Sequence, residues 1–430
     1  MKICIFHPYN FTGEVGGTDI YVYQLVLFLK SRGRESFIVC PSYSFTKTVV
    51  KSIDVYGIEL YSNDTFYSLE GIKKSDAVSQ FHQIIDLERP DIVHFHGFGK
   101  PYIHLLNILG ELGIKTLLTP HLASLTCLKT SLMDFRNNPC DGKVSKINCT
   151  ICLYKEKTNS DLLSLTAAYS EYAFSSIFRF TGISFSGKYL LSYRVIRQLK
   201  MLTTLNEKID RIVVLNNWFK EVLKKNGVAE NKVITIKTNY NKRLFIFDST
   251  IEEIQILFAG RQNTPKGLPL LLKAIKKAKF NKKVHLKICG PTIQAEENNL
   301  NVLINQLNQQ IRVSRDNNVN HAEMTSIIQS SHLVILPSID SEMCPLIILE
   351  SQLNCIPVLG ANHTGISDLI DDSKNGFLFE RNSEKDLTFK LENLINSNQL
   401  FDLNKLLSEN LKDEMSFLDK HLLTYNEMLD

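Results

Sequence analysis

At 430 residues the chain exceeds one ordinary domain, and two cores of about 200 residues each are expected. A hydrophobic content of 44% excludes a disordered chain, and a net charge of only +4 argues against a general nucleic-acid binder. No apolar run approaches the ~20 residues that span a bilayer, and the start MKICIFHPYN reads as a first strand rather than a secretory signal, so the expected compartment is the cytoplasm.

KICIFHP is a short apolar run of the kind that forms a buried parallel strand. The polar loop after it carries Gly16 and Gly17, whose missing Cβ lets the backbone approach a ligand, although a glycine pair also reads as an ordinary turn. An amphipathic helix, YVYQLVLFLKSRG, and a second strand, ESFIVCP, follow. DIVHFH is the next strand, with His96 and Gly97 at its carboxyl end, and KTLLTPHLAS adds another ending at Pro120 and His121. Open α/β sheets bind ligands at the carboxyl ends of their strands. His121 is therefore expected to touch a ligand and His96 to organise its loop, the alternative being two structural histidines.

Five of the nine cysteines (Cys4, Cys40, Cys289, Cys344 and Cys355) lie singly in or beside apolar runs or in a loop, and read as small core hydrophobes. The other four, Cys127, Cys140, Cys149 and Cys152, form a C-x12-C-x8-C-x2-C arrangement. Four thiolates with a closing C-x2-C suit a tetrahedral structural zinc, which would order a loop of little apolar content. Free thiols in a mobile loop are the alternative, and a redox role is a weaker one. From Tyr172 to Asn206 there is no acidic residue, while Arg179, Lys188, Arg194, Arg197 and Lys200 alternate with seven aromatics. A peripheral contact with an anionic membrane accounts for this pattern. So does a helix pair packed on the first domain with a solvated basic face; RNA is a third reading without a supporting motif.

DRIVVLNNWFKEVLKKNG returns to strand and helix, and the domain boundary is expected near residue 240. The second domain opens with EIQILFAGRQNTPKGLPLLLKAI, in which a strand ends at Gly260 and Arg261 and Lys266 flank a short loop before a helix. Two cations there suit a diphosphate, Arg as a bidentate donor and Lys as a point charge. HLKICG is a strand ending at Gly290, and VNHAEMTSIIQSSH a helix. LVILP is a buried strand, the loop SIDSEMC leads to Pro345 and the helix PLIILESQLN, and CIPVLG is another strand before a turn at Gly365. A helix N-terminus carries free N–H groups and a positive partial charge. A carboxylate one turn inside it, Glu350, suits a vicinal diol such as ribose. NGFLFE reads as an edge strand, and helices fill the rest from Ser383 onward.

The run PSIDSEMCPLIILE resembles the E-x7-E signature of retaining nucleotide-sugar glycosyltransferases of the GT-B fold, the family 4 type, with Glu342 and Glu350 as the two acids. The resemblance implies an α/β chain of two Rossmann-like, doubly wound parallel-sheet domains facing a cleft. Residues 1–240 would form the acceptor side with an insertion at 127–206, residues 241–410 would hold the nucleotide sugar, and a helix at 411–430 would cross back. Glu350 would hold the donor ribose, and Glu342 with Met343, Cys344, Pro345 and Leu346 would face the donor sugar. Gly16 and Gly17 match the G-G loop that faces the donor phosphates, Arg261 and Lys266 match the diphosphate pair, and Gly290 would lie near the nucleotide. His121 matches a histidine that contacts the donor sugar, and with Glu342, Arg261 and Lys266 it makes up the catalytic set.

The implied reaction is transfer with retention, without a cofactor or catalytic metal, from a nucleoside diphosphate sugar to a glycan or polyprenyl-diphosphate-linked acceptor in bacterial cell-surface polysaccharide synthesis. It would take place in the cytoplasm or at the inner face of its membrane, with no nucleic-acid partner. The cysteine-bearing segment is similar to an insertion found in some relatives. Arg34 and Pro345 depart from the pattern, Arg34 reading as structural; Asn239–Tyr240 departs too, so the interdomain crossover is expected to differ locally. Nucleotide-sugar epimerases and non-catalytic partner subunits share this fold and stand as rival readings.

Overall fold

Strands buried on both faces read as continuous apolar runs, because the helix after each one packs back on the sheet. The computed structural model describes residues 1–13, 16–60, 74–98, 100–181, 190–237, 246–247, 251–409 and 415–430. It divides into two units, Met1–Lys237 with Leu418–Asp430, and Thr238–Phe417, each built around a largely parallel sheet. The Asn239–Tyr240 crossover lies outside the described residues, as do Phe185, Lys188 and Tyr189 of the basic stretch.

The first unit contains β1 (Lys2–Phe6), β2 (Glu35–Ser42), β3 (Thr46–Val50), β4 (Ile53–Glu59), β5 (Ile92–Phe95), β6 (Lys115–Leu118), β7 (Arg211–Val214) and β8 (Val233–Thr235). Their order is β3-β4-β2-β1-β5-β6-β7-β8, parallel except for the β3–β4 hairpin. That hairpin turns at Lys51 and Ser52, both at positive φ (50° and 65°), as a tight two-residue turn requires. Its outer strand TKTVV is exposed and polar, so it has no apolar run to announce it. The first helix, Gly17–Ser31, begins four residues before the expected YVYQLVL stretch.

The second unit contains β9 (Glu253–Ala259), β10 (Lys283–Cys289), β11 (Arg312–Asp316), β12 (Leu333–Leu336), β13 (Val358–Asn362) and β14 (Phe377–Glu380), in the all-parallel order β11-β10-β9-β12-β13-β14. This is the order of a doubly wound nucleotide-binding sheet, in which connections leave in opposite directions from a central strand. The reversal falls between β9 and β12 here, and between β1 and β5 in the first unit. Loops leaving those strands diverge and open a crevice at their carboxyl ends. The core is contiguous through the sheet, from Ile256 and Phe258 to Leu359 and Phe379.

The terminal helix Phe417–Leu429 belongs to the first unit from Leu418 onward, where Tyr425 is fully buried. The cysteine-bearing segment runs from an irregular stretch into the helix Lys146–Thr158, which packs with the helices Asp161–Thr181 and Leu191–Lys208.

Candidate active site

In the second unit the chemistry collects on the loops after β9 and β12. Gly260 continues β9, and the loop that follows carries Arg261, exposed to solvent, and Lys266, half-buried. Buried Gln262 braces this loop by donating from Nε2 to the Gly290 carbonyl at 2.6 Å and to Asn317 Oδ1 at 2.8 Å. Asn263 Oδ1 accepts the Lys266 backbone N–H at 3.1 Å. Lys266 Nζ then reaches Glu342 Oε1 at 2.5 Å, the same oxygen that accepts a hydrogen bond from Ser338 Oγ at 2.7 Å. A cation on one strand-end loop thus neutralises an acid on the neighbouring one.

The Glu342 loop is held from below by two further residues. Buried His363 lies with Nε2 2.8 Å from the Ser338 carbonyl and Nδ1 3.1 Å from the Thr364 carbonyl. Burial lowers its pKa, and a neutral ring has a single N–H, so it donates to one of these carbonyls and only packs against the other. Gly365 sits at φ +87°, and a Cβ there would stand 1.5 Å from the Glu342 carbonyl oxygen. Only glycine lets the two backbones approach so closely. Gly290 has the same kind of role, since its Cβ would fall 2.3 Å from the Gly260 carbonyl oxygen.

Met343 is buried and Cys344 partly so, leading to Pro345, which is the N-cap of the helix Leu346–Leu353 rather than its first residue. Glu350 lies inside that helix, and burial pushes its carboxyl up to about 7. Ionising it therefore costs energy unless a ligand supplies hydrogen bonds or charge.

The candidates of the first unit lie at its own switch point. The loop after β1 is pinned by Asp19, which accepts hydrogen bonds from Thr12 Oγ1 at 2.7 Å and from the Gly13 backbone N–H at 3.1 Å, and pairs with His7 Nε2 at 2.9 Å. Burial opposes ionisation of Asp19, but the contacts from His7 and Thr12 outweigh it and hold its carboxyl below the usual range. Gly16 caps, and Gly17 starts, the helix that follows. His121 follows β6 with part of its surface open, its Nε2 2.9 Å from His96 Nδ1. Burial and the nearby His7 and His421 rings push its pKa down to about 3, so it is neutral at any physiological pH.

Behind these two lies a layer of histidines that sequence reasoning missed in part. His94 joins Tyr425 Oη at 2.7 Å and Thr119 Oγ1 at 2.8 Å, and His421 meets Tyr21 Oη at 2.5 Å. His421 and Tyr425 come from the chain's last helix, and nothing in the local pattern of that helix marks them.

The zinc expectation gains no support. Cys127, Cys140 and Cys149 all lie close enough to Cys152 to act on its charge, but among the described residues no three or more such side chains are arranged to hold a metal ion. Packing and hydrogen bonds order the segment. Leu128, Cys149 and Tyr154 pack on a cluster of Val144, Leu153, Leu191, Val195 and Leu202. Asn226 accepts the Val144 backbone N–H at 2.8 Å and donates to the Gly142 carbonyl at 2.9 Å. Burial raises the thiols of Cys140, Cys149 and Cys152.

Residues 241–413 match the family model for glycosyl transferases group 1, and residues 15–141 match the model for glycosyltransferase family 4. The chain belongs to the family 4 glycosyltransferases, on the GT-B fold. An uncharacterised glycosyltransferase of Methanocaldococcus jannaschii is 27% identical over 204 residues, 47% of this chain and 54% of that protein. One from Haemophilus influenzae is 31% identical over 165 residues, 37% of this chain and 45% of its own length. The chain spans about half the length of the curated relatives it matches. Among solved structures, HepE of Anabaena in complex with UDP and glucose aligns with a TM-score of 0.66 at 13% identity over 99% of both chains. The lipopolysaccharide outer core galactosyltransferase WaaB aligns at 0.62 and 14% identity, over 99% of this chain and 100% of that one. At such identities these two show the fold alone.

Within this family 4 glycosyltransferase, the second unit brings Lys266 and Glu342 into contact and sets Arg261 on the same loop as Lys266. Gly290 packs on the end of β9, and Glu350 lies one turn into the helix after Pro345. Ser338, Gln262 and His363 escaped sequence reasoning, because a hydroxyl, an amide and a ring facing backbone carbonyls leave no spacing signal.

Proposed function

We propose that this glycosyltransferase moves a sugar from a nucleoside diphosphate sugar to a glycan or polyprenyl-diphosphate-linked glycan, with retention of configuration and no catalytic metal, in bacterial cell-surface polysaccharide synthesis. The observation that carries the reading is the Lys266–Glu342 pair at the carboxyl ends of β9 and β12, with exposed Arg261 beside it. A diphosphate arriving there outcompetes a single carboxylate for the Lys266 ammonium, since it brings more charge and more acceptor oxygens. Arg261 and Lys266 then relieve the charge that develops on the leaving diphosphate.

Glu342, released from Lys266 but still holding the Ser338 hydroxyl, faces the donor sugar together with the backbone of Met343, Cys344, Pro345 and Leu346. Glu350 takes the ribose diol, Gly16 and Gly17 line the phosphates, Gly290 borders the nucleotide, and His121 contacts the sugar. That HepE binds UDP favours uridine diphosphate sugars as the first donors to try, and the likeness to WaaB favours a cell-surface glycan as acceptor.

The test is to incubate the protein with uridine, guanosine and adenosine diphosphate sugars, with and without lipid-linked acceptor, and to follow nucleoside diphosphate release. Acceptor-dependent release with the anomeric configuration kept is the expected result. Acceptor-free conversion would replace the reading with an epimerase, and tight binding without turnover would replace it with a non-catalytic subunit.

A peripheral membrane contact belongs to the same reading. Leu162, Leu163, Tyr169 and Tyr172 are exposed on the helix Asp161–Thr181, and Arg194 and Lys200 on the helix Leu191–Lys208. Co-sedimentation with anionic but not zwitterionic vesicles is expected, and equal behaviour with both would remove this part.

A further inference from the structure

We propose that His96 fixes the tautomer of His121, so that His121 presents an Nδ1–H donor at the carboxyl end of β6. That this N–H meets an oxygen of the donor sugar rests on the reading above; the tautomer does not.

His96 is fully enclosed, and its Nδ1 lies 2.9 Å from His121 Nε2, with the two rings stacked at 19°. One proton lies between these nitrogens, and it belongs to one ring or the other. The second nitrogen of His96, Nε2, is buried without a hydrogen-bond partner among the described residues. The adjacent His94 ring, its centroid 4.1 Å away, cannot serve it, because both His94 nitrogens are taken by Tyr425 and Thr119. Tyr21, packed edge-on against His121, has its hydroxyl on His421.

If His121 donated from Nε2, neutral His96 would carry its own proton on Nε2 and bury an N–H with no acceptor. If His96 donates from Nδ1, the orphan is only a lone pair. Buried orphan N–H groups are the rarer and costlier of the two. Burial and the neighbouring histidines hold both rings neutral, so a doubly protonated ring does not offer a third arrangement. His96 therefore donates, His121 accepts through Nε2, and the single proton of His121 sits on Nδ1. His96 is a positioning residue that acts through His121.

Histidine-selective 15N labelling with long-range proton–nitrogen correlation reads the tautomer directly, the His121 signals being assigned by their loss in His121→Gln. Protonation at Nδ1 is expected in the unmodified protein and in His96→Asn, whose amide N–H can stand in for Nδ1–H. In His96→Leu the donor is gone, and the His121 proton should shift towards Nε2. With a sugar nucleotide that turns over, KM should rise about 5–10-fold in His96→Leu, with a smaller change in kcat, and return to within about 2-fold in His96→Asn. A proton on Nε2 of His121 in the unmodified protein overturns the proposal whether or not the leucine variant folds. So does a His96→Leu protein in which the proton stays on Nδ1. An Nδ1–H tautomer in a protein that turns over no sugar nucleotide upholds this inference and counts against the proposed function alone. The wrong tautomer in an active enzyme does the reverse.

Discussion

Glu350 is the residue at which burial and binding make the same test. Its carboxyl, ordinarily near 4.5, is pushed up to about 7 by burial. The folded chain therefore keeps this proton at pH values where the unfolded chain has lost it. The stability so lent is complete below 4.5 and declines as pH rises from there through about 7. The full span is on the order of 3 kcal/mol before any relaxation of the site. Glu350→Gln should flatten that decline in urea titrations.

A ribose diol donates two hydrogen bonds and so prefers the carboxylate. Affinity for a uridine diphosphate sugar should then rise with pH through about 7, with protons released on binding, and Glu350→Gln should lose both effects. Glu350→Ala should weaken donor binding about 10-fold or more, and further than Glu342→Ala does, because Glu342 lies towards the sugar rather than the anchoring nucleoside. Calorimetry in two buffers of different ionisation enthalpy measures these quantities. A pH-independent affinity, or equal losses in the two variants, would remove the assigned roles.

Among elements, the loop pair around Glu342 was legible in its parts but not in its assembly. The strand ended by Pro337, the acids at 342 and 350, and the cations at 261 and 266 all follow from residue type and spacing. That Lys266 meets Glu342 does not, because the contact joins residues 76 apart in sequence. Nor does the need for glycine at 365, which is set by a neighbouring backbone. Gly365→Ala must both adopt φ +87° and move the Glu342 carbonyl, whereas Gly227→Ala has a comparable φ of +83° and open space around it. Backbone strain alone costs about 1–2 kcal/mol. The Gly227 variant should lose about that much in urea denaturation, and the Gly365 variant visibly more, together with donor affinity. Equal losses would mean that the loop yields freely and that its close approach does not set the position of Glu342.

Across the whole molecule, the alternation of strands and helices could be read from the sequence because parallel strands are continuous apolar runs. The β3–β4 hairpin was not read, because its outer strand faces solvent and carries no such run. The cysteine spacing pointed to a metal and gave no hint of the small apolar cluster beside Cys149, since ligand spacing carries no information about what else packs nearby. The histidine layer was hidden for a third reason: it joins β5 and the loop after β6 to a helix more than 300 residues later, as in the His94–Tyr425 contact with its separation of 331.

That last link makes a prediction about the unit as a whole. Tyr425 is fully buried and its hydroxyl shares a hydrogen bond with His94, whose other nitrogen holds Thr119 at the end of β6. Tyr425→Phe leaves a buried ring nitrogen without its partner and should cost about 1–3 kcal/mol. Deleting Leu418–Asp430 also removes the ring of Tyr425 and the His421–Tyr21 contact, and a buried aromatic alone is worth about 3–5 kcal/mol. Because these contacts all lie within the first unit, hydrogen exchange in the truncated protein should accelerate in β1, β5 and β6 and stay unchanged in β9 and β12. Equal acceleration in both sheets would show that the last helix stabilises the molecule as one cooperative body rather than through the histidine layer it completes.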